Sequence, residues 1–263
     1  MLPAPLPPVD NNYLSLGELC NLYYGMISPL SPYAIRGVVW SLGENGFGSP
    51  PAIKVKTEAL ITGWRKQWGQ KSLPFYLELL PKMGAVTRKP CAGLYWAKIR
   101  QGQIEALALK NTCMAVTLDV ADFGTTPRNR KDPGERLALC ALVNEYGRNA
   151  VCNGPRYKSH RVEDSRIVIS FDHVTTGLIV GEKIGFAPVK EAKNGELKQF
   201  VIAGADKKWH WADAQILGRT VVVSSKNVPN PVEVRYAYCM NPKGPKLYNQ
   251  NGLPASPFIS EKW

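Results

Sequence analysis

Side chains suited to proton transfer are few in this sequence. Of its three histidines, only His173, in Phe171-Asp-His-Val174, directly follows a carboxylate. Two other carboxylates, Glu44 and Asp122, lie in loops that follow apolar runs. His173 can be a site histidine or a hydrogen-bonded structural one. Glu44 can orient a water molecule or brace its glycine-rich loop, and Asp122 can belong to a site or cap a turn.

Short apolar runs alternate with helical patterns up to about residue 150. In one predicted helix, Leu60, Trp64 and Trp68 recur at i, i+4 and i+8. In another, Asp132-Pro133 predicts an N-cap followed by proline at the first helical position. The predicted strands cover about 36–42, 74–80 and 114–120, and the predicted helices cover about 52–68, 94–108 and 133–147. This alternation is typical of a parallel sheet with helices on both faces.

The loops at the carboxyl ends of such a sheet carry its working residues. Here they are residues 41–48, 81–89 and 121–130, and they contain Glu44 and Asp122. Three strands are few for such a fold. The open edges of so small a sheet would expose backbone donors to water. The proline-rich residues 1–20 cannot supply further strands. We therefore predict that this half is incomplete by itself or is completed by a partner chain.

Beyond about residue 150 the hydrophobic period changes to two. The turns between the apolar runs contain Gly, Pro, Asn and Asp, as expected for short strands. Strands are predicted at 166–171, 177–180, 199–202, 208–212, 220–224 and 232–238. This pattern predicts a small antiparallel sheet or sandwich. Residues 254–258 are predicted to form a strap across it.

The composition excludes several classes of protein. A chain of 263 residues with 44% hydrophobic content can bury a good core, which excludes a disordered chain. The net charge of +12 is spread along the sequence, and Asp132 and Glu135 interrupt the densest basic cluster, so no nucleic-acid partner is expected. No apolar run approaches the length of a membrane span, and residues 1–5 lack the features of a signal peptide. These features favour a soluble, unexported chain without a membrane partner.

The six cysteines show no C-x-x-C pair and no histidine at ligand spacing. A zinc site is therefore not expected, and we predict no metal ligands. Cys113 and Cys140 lie in apolar runs, which favours buried free thiols. Cysteines without an obvious pairing also fit a reducing compartment.

Motifs that begin near residue 21 and recur towards the C-terminus share one resemblance. They are Tyr24-Gly-Met-Ile-Ser-Pro-Leu30, residues 33–45, Trp64-Arg-Lys-Gln-Trp-Gly69, Gly134-Glu-Arg-Leu-Ala138, Ser170-Phe-Asp-His173, Ala203-Gly-Ala-Asp206 and residues 247–258. Together they resemble the sialate O-acetylesterase family of carbohydrate esterases. The resemblance implies a Ser-Gly-Asn-His type hydrolase of the α/β class with a partial three-layer α/β/α domain and a parallel sheet. This domain would span residues 21–150, after an irregular segment at 1–20, and a small antiparallel β-rich domain would follow at 151–263.

Most catalytic residues of that family have no counterpart in this sequence. The family's Gly-Gln-Ser-Asn nucleophile motif is absent, and Ser72, in Gly69-Gln-Lys-Ser72, is a poor substitute because it follows a helix. Leu42 occupies the family's Gln position, where a lost oxyanion donor commonly costs about 10²- to 10³-fold in rate. Thr126 occupies the position of the family's His. Triad chemistry therefore has no remaining mechanism in this chain alone.

No intact catalytic set is therefore predicted. The remnant catalytic candidates are Glu44, Asp122 and His173, and the substrate-binding candidates are Gly43, Glu44, Asn45 and His173. Two functions remain open. In the first, the chain takes part in hydrolysis of O-acetyl esters on sialic acid or a related acetylated glycan, and a further chain supplies the missing N-terminal strands and serine. The other is a catalytically dead glycan-binding or structural remnant.

Trp209 and Trp211 also have two alternative roles. Two tryptophans on one strand face can stack on sugar rings, or they can pack in the core of a small sandwich. No cofactor is implied by the resemblance. Related esterases are often exported although this sequence shows no signal, so its localisation stays unknown.

Overall fold

The predicted strands and helices of the first half are present in a computed structural model that describes residues 21–31, 33–42, 49–90, 92–120 and 128–260. A π-helix at Tyr23–Ile27 and a 3₁₀ turn at Ser28–Leu30 precede the first strand. The strands are β1 (Val38–Ser41), β2 (Phe75–Glu78) and β3 (Thr112–Ala115). The helices are α1 (Pro50–Gln67), α2 (Leu94–Glu105) and α3 (Lys131–Asn144).

The three strands form a parallel sheet in the order β1-β2-β3, which confirms the predicted small parallel sheet. The strand ends lie side by side, since Ser41 pairs with Glu78 and Glu78 pairs with Ala115. Successive side chains of a strand point to opposite faces. Phe75 shares a buried core with Ile61 of α1, whereas its neighbour Tyr76 packs with Leu137 of α3. The two helices therefore cover different side chains of the same strand.

Helix α3 begins two residues earlier than the predicted proline start. Its first residue is Lys131, so Pro133 is the third helical residue and Asp132 lies inside the first turn. The side-chain oxygen of Asn129 accepts the backbone N–H of Asp132 at 3.1 Å. Asn129 therefore satisfies one of the free amides at the helix start, the role that the sequence pattern assigned to Asp132.

The second half consists of antiparallel strands, as the period of two predicts. The sheet orders are β10-β11-β5-β4, β14-β12-β8-β9 and β13-β6-β7. The bounds are β4 Arg156–Glu163, β5 Arg166–Asp172, β6 Leu178–Glu182, β7 Lys190–Glu191, β8 Phe200–Ala203, β9 Trp209–Trp211, β10 Asp213–Leu217, β11 Thr220–Ser224, β12 Glu233–Tyr236, β13 Leu247–Asn249 and β14 Phe258–Ile259. The predicted strap ends in β14, which pairs with β12 as an edge strand.

One buried cluster extends through both halves. It contains Phe75 and Leu77 of the parallel sheet together with Ile167, Phe200 and Val234 of the antiparallel sheets. The hydrophobic core is therefore continuous across residue 150. The predicted division into residues 21–150 and 151–263 stays a prediction, and residues 1–20 lie outside the described part.

Cys113 and Cys140 form a disulfide, so the expectation of free thiols at these two positions is wrong. The bond joins β3 to α3 across 27 residues of sequence. Cys152 and Cys239 are buried free thiols, while Cys20 and Cys91 lie outside the described residues. Among the described helices, none has both the length and the apolar character needed to cross a membrane.

Candidate functional site

The carboxyl ends of β1, β2 and β3 lie next to one another, and the three predicted loops begin there. Residues 43–48 and 121–127 are outside the described ranges, and with them the candidates Gly43, Glu44, Asn45, Asp122 and Thr126. Their predicted roles stay predictions. The described residues nevertheless show what frames this end of the sheet.

Leu42 is the last described residue of the first loop, and its surroundings are apolar. The half-buried side chain packs against the buried cluster of Ile53, Leu80 and Ile99. A leucine in such a cluster offers no hydrogen-bond donor to a reacting oxygen. The structure thus gives Leu42 a packing role at the position where the family resemblance would place a glutamine.

Asp119 follows β3 by four residues and lies two positions before the third predicted loop. Its side chain is 1% exposed and accepts two hydrogen bonds from Arg136, at 2.7 and 2.6 Å. The hydroxyl of Tyr248 donates to the same carboxylate at 3.2 Å. Arg136 also donates to the carbonyl of Val116. This network connects the end of β3 to α3 and to β13.

Burial and charge act in opposite directions on this network. Burial by itself would lower the pKa of Arg136, but the hydrogen bond to Asp119 and its negative charge raise it above the ordinary value. Burial raises the pKa of Tyr248, and the charge of Asp119 raises it further. Arg136 therefore stays charged and Tyr248 stays a neutral donor, which are the forms that the geometry requires.

An ion pair between Asp132 and Lys183 fixes the position of the start of α3. Asp132 accepts a hydrogen bond from the amide of Asn129, and the Lys183 ammonium lies 2.9 Å from the same carboxylate oxygen. Both charged side chains are largely buried, at 5% exposure for Lys183 and 12% for Asp132. Lys183 also donates to the carbonyl of Ala187 at 2.7 Å. The residues immediately after the third loop are thus tied to the β-rich half.

Arg100 of α2 clamps the loop after β2. Its guanidinium is 1% exposed and donates to the carbonyls of Leu80 and Pro81 and to those of Cys239 and Met240, at 2.7 to 2.9 Å. No carboxylate takes part in these four hydrogen bonds. Burial therefore lowers the pKa of Arg100 to about 10. The clamp joins the carboxyl end of β2 to the β-rich half.

A wide cavity of about 830 Å³ opens beside the loop after β2. Four cationic side chains and a single carboxylate, that of Glu196, contribute to its wall. Glu196 is already paired with the Lys198 ammonium at 3.0 Å. The cations are Arg88, Lys198, Lys243 and Lys246. Such a wall favours an anionic ligand.

His173 lies at the end of β5 with a left-handed backbone, φ +62°. Partial burial lowers its pKa, Arg156 lowers it further, and Asp172 acts in the opposite direction. Arg156 borders a cavity shared with Ile104 and Leu107, which precede the amino end of β3. Leu42, in contrast, follows the carboxyl end of β1. The structure therefore does not bring His173 and Leu42 together, and a site role for His173 stays a prediction.

Ser72, His160 and Trp211 lie in three different parts of the structure. Ser72 precedes β2, so it lies at the amino edge of the parallel sheet. His160 contacts the Tyr157 hydroxyl at 2.8 Å and the Val232 carbonyl at 3.1 Å, which makes it a structural histidine. Trp211 is 39% exposed and borders a cavity of about 650 Å³.

Two curated proteins and one solved structure are similar to this chain. A sialate O-acetylesterase from Pongo abelii and one from Homo sapiens are each 23% identical to it over 266 aligned residues, which cover 91% of the chain and 48% of each relative. The structure of a carbohydrate acetylesterase from Xanthomonas citri matches with a TM-score of 0.81 and 35% identity, over 92% of this chain and 54% of that one. No protein-family model matches the sequence.

The resemblance to the sialate O-acetylesterase family is confirmed. The chain spans about half the length of the sialate O-acetylesterases that it matches. The names of the relatives support a carbohydrate esterase, which is a hydrolase.

Local sequence patterns do not indicate the residues that frame the candidate site of this sialate O-acetylesterase-like chain. The loop position of Asp122 marks it as a candidate, whereas Asp119 has no such signal, and Arg136 lies in the basic cluster that Asp132 and Glu135 interrupt. One available signal was the position of Arg136 on α3, one residue before the buried Leu137. A cation on the buried face of a helix needs an acidic or carbonyl partner. Nothing in the local sequence around Arg100 indicated its four carbonyl partners.

Proposed function

We propose that this chain is the scaffold and substrate-binding part of a carbohydrate esterase that removes O-acetyl groups from sialic acid or a related acetylated glycan. The similarity to the Xanthomonas citri acetylesterase over 92% of the chain is the observation that carries the proposal. The proposed architecture is the partial three-layer α/β/α domain at 21–150 followed by the β-rich domain at 151–263. The chain alone is proposed to be inactive.

The cationic cavity beside the loop after β2 supports a sialate substrate. Sialic acid carries a carboxylate, and Arg88, Lys198, Lys243 and Lys246 offer it charge-assisted hydrogen bonds. Arg100 holds the adjoining loop to the β-rich half, so the cavity wall is built on fixed backbone. The candidates Gly43, Glu44 and Asn45 are proposed to complete the binding site, whereas His173 is proposed to have no part in this cavity.

The proposed inactivity rests on the residues that ester hydrolysis by a serine requires. In that reaction a serine oxygen attacks the acetyl carbonyl, a base takes the serine proton, and the sugar hydroxyl leaves from an acyl-enzyme that water then hydrolyses. The chain contains no Gly-Gln-Ser sequence, and Leu42 packs as an apolar residue. Glu44 and Asp122 are proposed to be remnants of the site.

We propose that the missing nucleophile strand docks beside β1. Among the described strands, β1 pairs with β2 alone, so its other edge offers unpaired backbone groups. Val39 in the middle of β1 is 62% exposed, which marks an uncovered face next to that edge. A partner segment that supplies a parallel strand and a helix would cover both features.

Coexpression tests this proposal directly. The second chain would be the part of the Xanthomonas citri acetylesterase that this chain does not cover. We expect the two to copurify in a 1:1 ratio and Val39→Glu to weaken the complex at least about tenfold, while Val162→Glu on exposed β4 leaves it intact. Absence of a complex, or equal loss with both variants, would refute docking at β1.

The second candidate function is glycan binding without catalysis. Exposed Trp211 beside a cavity of about 650 Å³ is the observation that favours it, because an indole face can pack against a sugar ring. Calorimetry with O-acetylated sialic acid should then show weaker binding for Trp211→Ala. Phe186→Ala, at another exposed aromatic residue, is the matched control. Equal binding by both variants would reject this function.

A further inference from the structure

Three cysteine sulfurs meet in the core between the parallel sheet and α3. Cys113 lies on β3, Cys140 on α3 and Cys152 in the segment after α3. All three residues are buried, and their sulfur atoms lie within 4.8 Å of one another. The sequence spacing conceals this cluster, because neither pair of neighbours has the short spacing of a metal-binding motif.

The distances suit a metal ion when the disulfide is reduced. A tetrahedral zinc–thiolate site has Zn–S bonds of about 2.3 Å, which places its sulfurs roughly 3.8 Å apart. The Cα atoms of Cys113 and Cys140 are 6.2 Å apart. Rotation of the side chains can therefore separate the two sulfurs to that distance while β3 and α3 stay where they are. Cys152 is already within reach.

Polar groups in the same cluster supply what a thiolate site needs around it. The amide oxygen of Asn153 lies 3.4 Å from the Cys113 sulfur, and its amide nitrogen lies 3.5 Å from the Cys152 sulfur. Tyr76 packs in this cluster, and its buried hydroxyl has no hydrogen-bond partner among the described residues. A buried hydroxyl without a partner is costly, and a metal-bound thiolate or a metal-bound water would provide one.

We propose that Cys113, Cys140 and Cys152 bind one Zn²⁺ ion as thiolates when the Cys113–Cys140 disulfide is reduced. A dithiol supplies the two electrons and two protons that convert the disulfide to two thiols, and the dithiol itself becomes a disulfide. Binding of Zn²⁺ then releases three protons, one from each cysteine. The fourth ligand position is open to the Asn153 oxygen or to water. This site does not depend on the proposed esterase function.

Cobalt titration of the reduced protein tests the site. The starting protein would carry Cys20→Ser, Cys91→Ser and Cys239→Ser, so that only the three clustered cysteines remain. After reduction with a dithiol and removal of the dithiol without oxygen, Co²⁺ should bind in a 1:1 ratio with sulfur-to-cobalt charge-transfer absorption. One equivalent of Zn²⁺ should displace it.

Two comparisons make the result decisive. Adding Cys152→Ser should weaken binding by more than the roughly 10- to 100-fold that loss of an outer-shell partner costs. Cys152→Ser still permits the Cys113–Cys140 disulfide, so its fold can be verified by circular dichroism in the oxidised form. The oxidised parent should not bind the ion. Absence of cobalt binding by the reduced parent, or unchanged binding by Cys152→Ser, would overturn the proposal.

Discussion

Two buried arginines take part in joining the parallel-sheet half to the β-rich half, Arg100 directly and Arg136 through Asp119 and Tyr248, and their environments differ. Arg136 faces the carboxylate of Asp119, which raises its pKa, whereas Arg100 faces four carbonyl oxygens, and burial lowers its pKa. The positive charge of Arg136 is balanced by a carboxylate, whereas that of Arg100 is stabilised only by the dipoles of carbonyl groups. Both regions flank the end of the sheet where Leu42 packs as an apolar residue. The chain thus has the contacts that frame this end of the sheet, and under the proposed function it lacks the groups that perform the reaction.

Breaking the ion pair should produce the largest loss of stability. Asp119→Asn would leave the Arg136 guanidinium buried without its counter-ion, which commonly costs about 3–5 kcal/mol. Urea denaturation should show a lower midpoint with an unchanged slope. The double variant Asp119→Asn with Arg136→Met should recover part of the loss. Equal stability of Asp119→Asn and the exposed control Asp213→Asn would contradict this assignment.

Removing the other arginine should cost less, although Arg100 is the more completely buried of the two. Arg100→Met leaves four neutral carbonyls without their donor but no uncompensated charge. We expect a loss of about 2–3 kcal/mol, because neutral buried acceptors are less costly than a charge. Lys98→Met, at an exposed position on the same helix, is the control. A loss larger than that of Asp119→Asn would reverse the comparison.

The smallest expected effect concerns His173. Its pKa is lowered in the folded chain, so the unfolded chain binds more protons as the pH falls through about 6.5. Stability should therefore decrease below that pH and be fully present above it. His173→Gln should make the unfolding midpoint less dependent on pH between 7.5 and 5.5, with His210→Gln as the control. An unchanged pH dependence in His173→Gln would show that this histidine is not the source.

Local patterns predicted the first half well, because buried strands and amphipathic helices carry their signal within a few residues. The strand predicted at 114–120 lies nearer the N-terminus, at Thr112–Ala115. Apolar residues continue beyond the last backbone hydrogen bonds that pair this strand with its neighbour, so the pattern extends past the strand's end. In the second half, β4 was missed because most of its side chains are polar and partly exposed. Its pairing with β5 depends on the tertiary arrangement.

The site was less predictable than the fold. Motifs predict which catalytic groups are absent, since no Gly-Gln-Ser occurs in the sequence, and this stays a prediction. The contacts that frame the site join distant residues: Arg100 reaches Cys239 across 139 positions, and Asp119 reaches Tyr248 across 129. The Cys113–Cys140 disulfide likewise depends on α3 packing over β3. Such pairings follow from topology and have no local signature.

Acetate release by the purified chain tests the central claim most directly. The substrates would be an O-acetylated sialic acid and a simple aryl acetate, and the variant Thr126→His with Leu42→Gln would be compared with the unmodified chain. We predict no release above background by either protein, because neither contains the serine nucleophile motif. Release by the unmodified chain would contradict the account, and Ser72→Ala and His173→Ala would then identify the residues responsible.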